Sequence, residues 1–205
     1  MLDFYHLPSS CSTAVKATLA LTNAPHSLIP IDLANKPDAF LKANPRGKVP
    51  TVSVDGTPLF EGGAINLWLA LQHPDAGLMP ALHTLEGGEA LKWLFFAYSS
   101  VHPVWLRLLF PDQPAGDTAK EEVFKRALES MFELYDMIDA QLQKHAFIAG
   151  ETLTIADLYL AASIHWDGVI GGHVGAKYPS ALGHRDRVLA RPDVRAAFTG
   201  EFGYS

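Results

Sequence analysis

Patterns typical of β-strands alternate with helical patterns up to residue 72, and no further strand pattern follows. Strand-like runs cover residues 2–5, 26–32, 49–54 and 58–60, and apolar residues at helical spacing cover 13–22, 38–43 and 61–72. Asp55-Gly56, between the last two runs, is a hairpin-turn signal. The resulting βαβαββα order predicts a mixed α/β sheet covered by helices.

The remainder of the chain shows helical periodicity alone. Helical spacing recurs over residues 86–109, 119–144, 154–166 and 192–198. Pro103 predicts a kink near His102, and the glycine-rich segment 168–183 reads as a loop. We therefore expect a first domain over 1–75, a linker over 76–85 and an all-helical domain over 86–205.

Charge and hydropathy exclude two classes of partner. The formal net charge of the 205 residues is -6 and no lysine or arginine cluster is present, so nothing favours a nucleic-acid partner. No run reaches the roughly 18 apolar residues of a membrane span, which predicts a soluble, cytoplasmic protein without a membrane partner. Cys11, the single cysteine, has no intramolecular disulfide partner.

A capping box is predicted where the helix over 154–166 begins. Thr154 is a favourable N-cap residue, and Asp157 stands three positions later, where its carboxylate can reach back to the cap. Gly150 permits the preceding turn. These residues are expected to serve folding and to make no contact with substrate.

Three segments of the first half together predict a thiol-binding site. Val49-Pro50 has the signature of a cis peptide bond, which exposes the backbone N–H and C=O of Val49 to an extended ligand. Glu61-Gly62 opens a helix and can offer a carboxylate and an N–H group to the charged end of that ligand. Cys11 lies at the start of another helix.

With these motifs, the chain resembles a cytosolic glutathione transferase from end to end. It is most similar to the bacterial beta class, at Phe4-Tyr5, Cys11-Ser12, the segment 44–50 and the segment 59–65. The resemblance implies a thioredoxin-like domain that binds glutathione as co-substrate, a helical domain that binds a small apolar electrophile, a homodimer, and no metal. Two positions depart from the family: Gly62 replaces a frequent serine, and Pro103 replaces a usual lysine.

The resemblance also implies the site residues. The glutathione contacts it implies are made by Tyr5, Lys36, Val49, Pro50, Glu61, Gly62 and Ser99. The apolar pocket for the second substrate would be lined by Trp105, Phe110 and Trp166, and the segment 168–183 would shape its mouth. Aromatic residues at helical spacing are nevertheless often core residues.

Cys11, Ser10 and His102 are the candidates for the chemistry. A thiol at a helix N-terminus is expected to have a lowered pKa, so that Cys11 can exchange disulfides with glutathione; its alternative role is a small buried residue. The hydroxyl of Ser10 or of Ser12 can instead stabilise a bound thiolate, although turn and cap roles are favoured for Ser9 and Ser12. His102 either polarises the thiol or is a core histidine.

Two functions remain open on the sequence. The first is a glutathione transferase that conjugates the thiolate of glutathione to apolar electrophiles, with thiol–disulfide exchange through Cys11 as a variant. The second is a transferase-like binding or regulatory protein with little catalysis, since a fold does not guarantee an activity.

Overall fold

The computed structural model describes residues 1–114 and 116–204, which divide into two compact units. The first unit combines Met1–Pro80 with the chain from Leu189 onward, and the second is Ala81–Val188. The sequence placed all of 86–205 in the helical domain, whereas the last helix and the turn after it group with the first unit. That helix packs against the first helix of the chain, and Glu201 accepts hydrogen bonds from the segment 6–16.

The first unit has the predicted βαβαββα order. Its elements are β1 (Leu2–His6), α1 (Ser12–Thr22), β2 (His26–Pro30), α2 (Asp38–Ala43), β3 (Thr51–Val54), β4 (Thr57–Phe60) and α3 (Gly62–Gln72). The sheet order is β2-β1-β3-β4, in which β1 runs parallel to β2 and antiparallel to β3. Asp55 and Gly56 both have positive φ angles, as the hairpin between β3 and β4 requires.

Side chains of β1 alternate between the two faces of this sheet. Leu2 and Phe4 are buried in a cluster with residues of α1, β3 and α3. Tyr5 points to the other face and packs on Phe40 of α2, with a ring-centroid separation of 5.3 Å. Val49 packs against this second cluster, which therefore supports the loop before β3.

Among its described residues, the second unit consists of helices joined by turns, with one isolated β-bridge between Phe147 and Gly150. Its helices are α4 (Leu85–Phe95), α5 (His102–Leu109), α6 (Lys120–Leu142), α7 (Ile155–Ser163), α8 (His173–Lys177) and α9 (Pro179–Leu189), and α10 (Pro192–Ala197) follows in the first unit. Within the described ranges, no helix is both long and apolar enough to cross a membrane.

The helix predicted over 86–109 is interrupted. A π-helical segment, Phe96–Val101, separates α4 from α5, and Pro103 lies in the first turn of α5. Proline has no N–H to donate, and its ring clashes with the carbonyl four residues earlier, so the ordinary helical hydrogen-bond pattern cannot pass through it. The break therefore lies just before the position where the sequence placed a kink.

The interpretation of residues 168–183 as a loop is wrong. A 3₁₀ helix covers Ile164–Ile170, and α8 and the start of α9 follow. Gly171 and Gly172, with positive φ angles, form the joint, and the Asp167 carboxylate accepts the N–H groups of Val174 and Gly175 at 2.9 and 2.7 Å. In this segment the glycines Gly171 and Gly172 connect two helices.

The predicted capping box of α7 is confirmed. The Asp157 carboxylate accepts the Thr154 N–H at 2.8 Å and the Ile148 N–H at 2.7 Å. It also binds Nε2 of His184 at 2.8 Å, and both side chains are buried. Asp157 thus joins three segments of the second unit.

Candidate functional site

The turn between β1 and α1 carries Cys11 to the start of the helix. Ser9 adopts a left-handed conformation, with φ of 60°, and Cys11 is the N-cap residue of α1. The Cys11 thiol donates a hydrogen bond to the Val49 carbonyl oxygen at 3.3 Å. The Val49–Pro50 peptide bond is cis, as the sequence predicted. The structure therefore brings the thiol and the exposed backbone of Val49 together.

The electrostatic environment of Cys11 contradicts the expected thiolate. Burial raises the pKa of the thiol to about 12, and the nearby charge of Glu61 acts in the same direction. The charge of Lys48 and the N–H groups at the helix start lower this pKa by less. In the protein without ligand Cys11 is therefore a protonated thiol at neutral pH, because desolvation outweighs the helix terminus.

Glu61 stands exposed at the start of α3. Its φ of 72° is unusual for a residue with a side chain and marks a constrained position, as functional sites often do. Its carboxylate lies 3.7 Å from the Arg46 guanidinium in an exposed ion pair. Gly62 begins the helix, where the first N–H groups have no intrahelical acceptor. This helix start offers both a carboxylate and N–H donors.

Basic residues surround the turn that precedes Val49. Asn44 is buried and shapes this turn, because its side-chain amide donates to the Lys48 carbonyl at 3.0 Å and to the Thr51 hydroxyl at 3.1 Å. Lys36 reaches across the turn: a β-carbon placed on Gly47 would lie 3.1 Å from its Nζ. Arg46 lies within the segment 44–50 but was not selected from the sequence. It is the third cation near this turn, beside Lys36 and Lys48.

The serines of the β1–α1 turn bond to one another and to the turn. The Ser10 hydroxyl lies 2.7 Å from both the Leu7 carbonyl and the Ser12 hydroxyl, and it accepts the Ser12 N–H at 3.1 Å. Ser12 is fully buried, and its hydroxyl accepts the Leu7 N–H at 3.2 Å. Ser10 is partly exposed and is thus the serine of this pair that a ligand can reach.

A buried histidine and glutamate lie beneath this turn, and sequence reasoning missed both. Nδ1 of His6 is 2.7 Å from the Ser12 hydroxyl, and its Nε2 is 2.9 Å from Glu201. Glu201 also accepts hydrogen bonds from Lys16, Thr13 and the Ser9 N–H. His6 and Glu201 are 195 residues apart, so no local pattern could have revealed the pair.

Glu201 remains ionised in this environment. Burial by itself raises the pKa of its carboxyl, but the hydrogen bonds from His6 and Lys16, together with those from Ser9 and Thr13, outweigh burial and lower the pKa to about 2. An ionised carboxylate only accepts hydrogen bonds. Nε2 of His6 therefore carries a hydrogen and donates it to Glu201.

The candidates from the helical domain lie in the second unit. Ser99 is exposed within the π-helical segment, and its hydroxyl donates to the Phe95 carbonyl at 2.6 Å. Nδ1 of His102 is 2.6 Å from the Tyr159 hydroxyl, and burial lowers the pKa of His102 to about 4. His102 is thus a neutral imidazole at physiological pH.

The three aromatic residues expected in the apolar pocket occupy different environments. Trp105 is fully buried and packs edge-on against Tyr135 and Trp166, which makes it a core residue rather than a pocket wall. Trp166 is buried as well and contacts the His102 ring, with centroids 5.9 Å apart. Phe110 is 45% exposed at the end of α5 and, of the three, is the one open to a ligand.

Two family models together cover most of the chain. Residues 8–72 match the N-terminal domain of glutathione S-transferase, and residues 90–192 match its C-terminal domain.

Among the described residues, no group of three or more His, Cys, Asp and Glu side chains is arranged to hold a metal ion.

Curated relatives and solved structures resemble the chain over nearly its full length. Glutathione S-transferase GST-4.5 of Xanthomonas campestris pv. campestris is 31% identical, covering 98% of each chain. Disulfide-bond oxidoreductase YfcG of Escherichia coli K12 is 27% identical, covering 94% of this chain and 92% of its own. A sphingomonad glutathione S-transferase complexed with glutathione is 31% identical, and the beta-class enzyme of Sphingomonas chungbukensis is 30% identical. Both superpose with a TM-score of 0.85 and cover 99% of this chain and 100% of their own.

Proposed function

Because this chain belongs to the glutathione S-transferase family, we propose that its first unit binds glutathione at Val49 and Glu61 and activates the glutathione thiol for conjugation to small apolar electrophiles. The observation that carries this proposal is the Cys11 thiol 3.3 Å from the Val49 carbonyl. The carbonyl that would pair with the ligand's cysteinyl residue lies at the start of α1, so the ligand sulfur would lie beside the β1–α1 turn.

The charges of the first unit fit the two ends of glutathione. The Glu61 carboxylate suits the ammonium of the γ-glutamyl group, and the N–H groups at the start of α3 suit the adjacent carboxylate. Lys36 is a cation suited to the glycine carboxylate at the opposite end. Val49 would hold the middle of the tripeptide in the manner of an added strand.

The reaction requires a thiolate and a correctly placed electrophile. The glutathione sulfur forms a bond to the electrophilic carbon, and a leaving group such as halide departs with the electron pair of the broken bond. Bringing both reactants together supplies much of the rate enhancement. We assign the apolar substrate to the second unit, with Phe110 among its contacts, and propose a cytoplasmic homodimer as the family resemblance implies.

Ser10 is the first candidate for the group that stabilises the bound thiolate. Its hydroxyl is partly exposed, whereas the Cys11 thiol is a protonated group whose own charge is suppressed. A hydroxyl that donates to a thiolate favours the charged form and lowers the thiol pKa. Cys11 therefore acts as a neighbour of the ligand in conjugation.

A second activity, disulfide exchange with glutathione, is favoured by the same contact. Cys11 lies where the ligand's cysteinyl backbone would bind, and one full-length relative is named a disulfide-bond oxidoreductase. In exchange, the Cys11 thiolate attacks a disulfide sulfur, a new S–S bond forms and the other sulfur leaves as thiolate. Because the pKa of Cys11 is about 12 this thiolate is scarce, and we expect the exchange to be slow. The chain's single cysteine limits this activity to mixed disulfides with glutathione.

Calorimetry of glutathione binding, with turnover assays on the same samples, tests the proposal. Glu61→Gln should weaken binding about tenfold, equivalent to about 1.4 kcal/mol, whereas the matched loss of an exposed charge in Asp38→Asn should leave it unchanged. Cys11→Ala should keep conjugation of an aryl halide and lose exchange with a glutathione mixed disulfide. Binding without either turnover would indicate a transferase-like binding protein, and no binding by the wild type would refute the proposed site.

A further inference from the structure

Four side chains of the first unit form one continuous hydrogen-bonded chain. The Ser10 and Ser12 hydroxyl oxygens are 2.7 Å apart, Ser12 is 2.7 Å from Nδ1 of His6, and Nε2 of His6 is 2.9 Å from Glu201. Ser12, His6 and Glu201 are at most 2% exposed. Ser10 is partly exposed, so the chain runs from the protein surface to a buried carboxylate.

The ionised Glu201 sets the direction of these hydrogen bonds. Because the carboxylate only accepts, Nε2 of His6 must donate to it, and the neutral form of the imidazole then accepts at Nδ1. The Ser12 hydroxyl is the donor to Nδ1 at 2.7 Å. Its oxygen can in turn accept the Ser10 hydroxyl at 2.7 Å, when the hydrogen of Ser10 turns to Ser12 from the Leu7 carbonyl, which is equally near. The Ser12 N–H occupies one lone pair of the Ser10 oxygen, and a second lone pair remains for a ligand donor.

The arrangement is that of a hydroxyl, an imidazole and a carboxylate in series. In serine hydrolases this series makes the imidazole a base, with the carboxylate stabilising the imidazolium that forms. Ser12 is fully buried, so it cannot itself attack a substrate. Proton transfer needs only contacts between neighbouring groups. It is therefore the part of hydrolase chemistry that a buried Ser12 can still perform.

We propose that His6 receives the proton of the bound glutathione thiol through Ser10 and Ser12. This inference rests on the proposed function. The thiol S–H bond breaks and its proton joins the Ser10 oxygen; the Ser10 proton passes to the Ser12 oxygen, and the Ser12 proton passes to Nδ1 of His6. Both serines end as neutral hydroxyls, glutathione becomes a thiolate, and His6 becomes an imidazolium paired with Glu201.

Charge balance and basicity favour His6 over Cys11 and His102 as the group that receives the proton. The thiolate and the imidazolium appear together, so the first unit gains no net charge, and Glu201 already carries the opposite charge beside the imidazole. Lys16 is the other charged group on this carboxylate, at 2.7 Å. Cys11 holds its own proton because its pKa is about 12, and the pKa of about 4 leaves His102 a weak base.

Counting protons on the wild type tests the relay directly. Glutathione is titrated into the protein by calorimetry in two buffers of different ionisation enthalpy. The difference between the two binding heats gives the number of protons released, and ultraviolet absorbance gives the number of thiolates formed. The relay predicts close to one thiolate per site and well under half a proton released. One proton released for each thiolate, or no thiolate at all, would overturn it.

A variant separates proton uptake from structural support. His6→Asn keeps an oxygen that can accept the Ser12 hydroxyl but cannot hold a proton, and should raise the pKa of the bound thiol by at least one unit, a tenfold loss of thiolate at neutral pH. His26→Asn, a histidine of β2 whose Nδ1 contacts the Ala24 carbonyl, is the matched control and should behave as wild type.

S-methylglutathione, which has no thiol proton, reports on the binding site alone. Its affinity should be the same within twofold in wild type and His6→Asn. If the wild type binds S-methylglutathione but His6→Asn still forms the glutathione thiolate normally, the relay is refuted and the proposed function stands. A wild type that fails to bind S-methylglutathione refutes the proposed function, and the relay with it.

Discussion

The Cys11 thiol donates a hydrogen bond to the Val49 carbonyl, 3.3 Å away. This bond joins the start of α1 to the backbone group that we propose pairs with glutathione. The carbonyl oxygen has a second lone pair, so ligand and thiol can share it. Burial, together with the charge of Glu61, raises the pKa of Cys11, so the thiol keeps the proton that it donates in this bond.

Alkylation of Cys11 should be slow in the protein without ligand. With a pKa of about 12 the thiolate is scarce, and the rate at pH 7 should lie roughly a thousandfold below that of an ordinary cysteine with a pKa near 8.5. Iodoacetamide labelling followed by mass spectrometry measures the rate. The denatured protein is the control, because it carries the same single cysteine. A rate that levels off near pH 7 would contradict the expectation.

Glu201→Gln should weaken the fold at neutral pH and lose its effect in acid. The folded carboxyl has a pKa of about 2, below the ordinary 4.5, so its stabilisation is complete above about 4.5 and disappears as pH falls towards 2. The loss at pH 7 should be about 2 kcal/mol or more, as expected for buried bonds to a charged group.

Denaturant unfolding at several pH values between 7 and 3 measures this effect. Glu151→Gln removes a carboxylate from an exposed pair with His145 and should shift the midpoint little at any pH. Curves for wild type and Glu201→Gln that stay parallel down to pH 3 would show that the carboxylate is not the source of the stabilisation.

Asp157→Ala should destabilise the protein by more than the capping box alone implies. The sequence predicts about 1 kcal/mol for a lost cap, but the carboxylate also binds Ile148 and His184, so roughly 3 kcal/mol is expected. Chemical denaturation measures the loss, with Asp186→Asn on the surface of α9 as the control. An unchanged midpoint would refute the role, and the affinity for S-methylglutathione should not change.

His102 should contribute to stability above pH 6.5 and lose that contribution in acid. Burial lowers its pKa to about 4, so the unfolded chain, with an ordinary pKa of 6.5, binds more protons between these values. Stability is therefore lost as pH falls from about 6.5 to 4. His102→Gln should show a flatter dependence of unfolding free energy on pH. The pKa of His165 is also lowered to about 4, and subtracting the variant's curve from that of the wild type removes this shared contribution.

Nuclear magnetic resonance of the His102 ring protons gives an independent check. The ring should remain neutral from pH 8 down to pH 5, and activity should show no inflection from His102 in that range. A titration midpoint near 6.5 would place the imidazole in water and contradict its buried contact with Tyr159.

Local features of the fold could be predicted because neighbouring residues determine them. The cis bond before Pro50, the hairpin at Asp55-Gly56 and the capping box of Asp157 depend on a few consecutive residues, and all three are confirmed. The family and the fold followed from the same motifs. The break before α5 was found only approximately, because the sequence shows the missing N–H of Pro103 but not how the preceding turn adjusts.

The order of the elements in the first unit and the motifs around Cys11, Val49 and Glu61 follow from the amino-acid sequence, since these depend on short-range periodicity and backbone preference. The protonation of Cys11 and the burial of Trp105 depend instead on tertiary packing, because desolvation involves residues distant in sequence. Tertiary packing also decided the pairing of His6 with Glu201. Two groups 195 residues apart meet only after the sheet and the last helix have packed, and their burial gives the hydrogen bonds their strength.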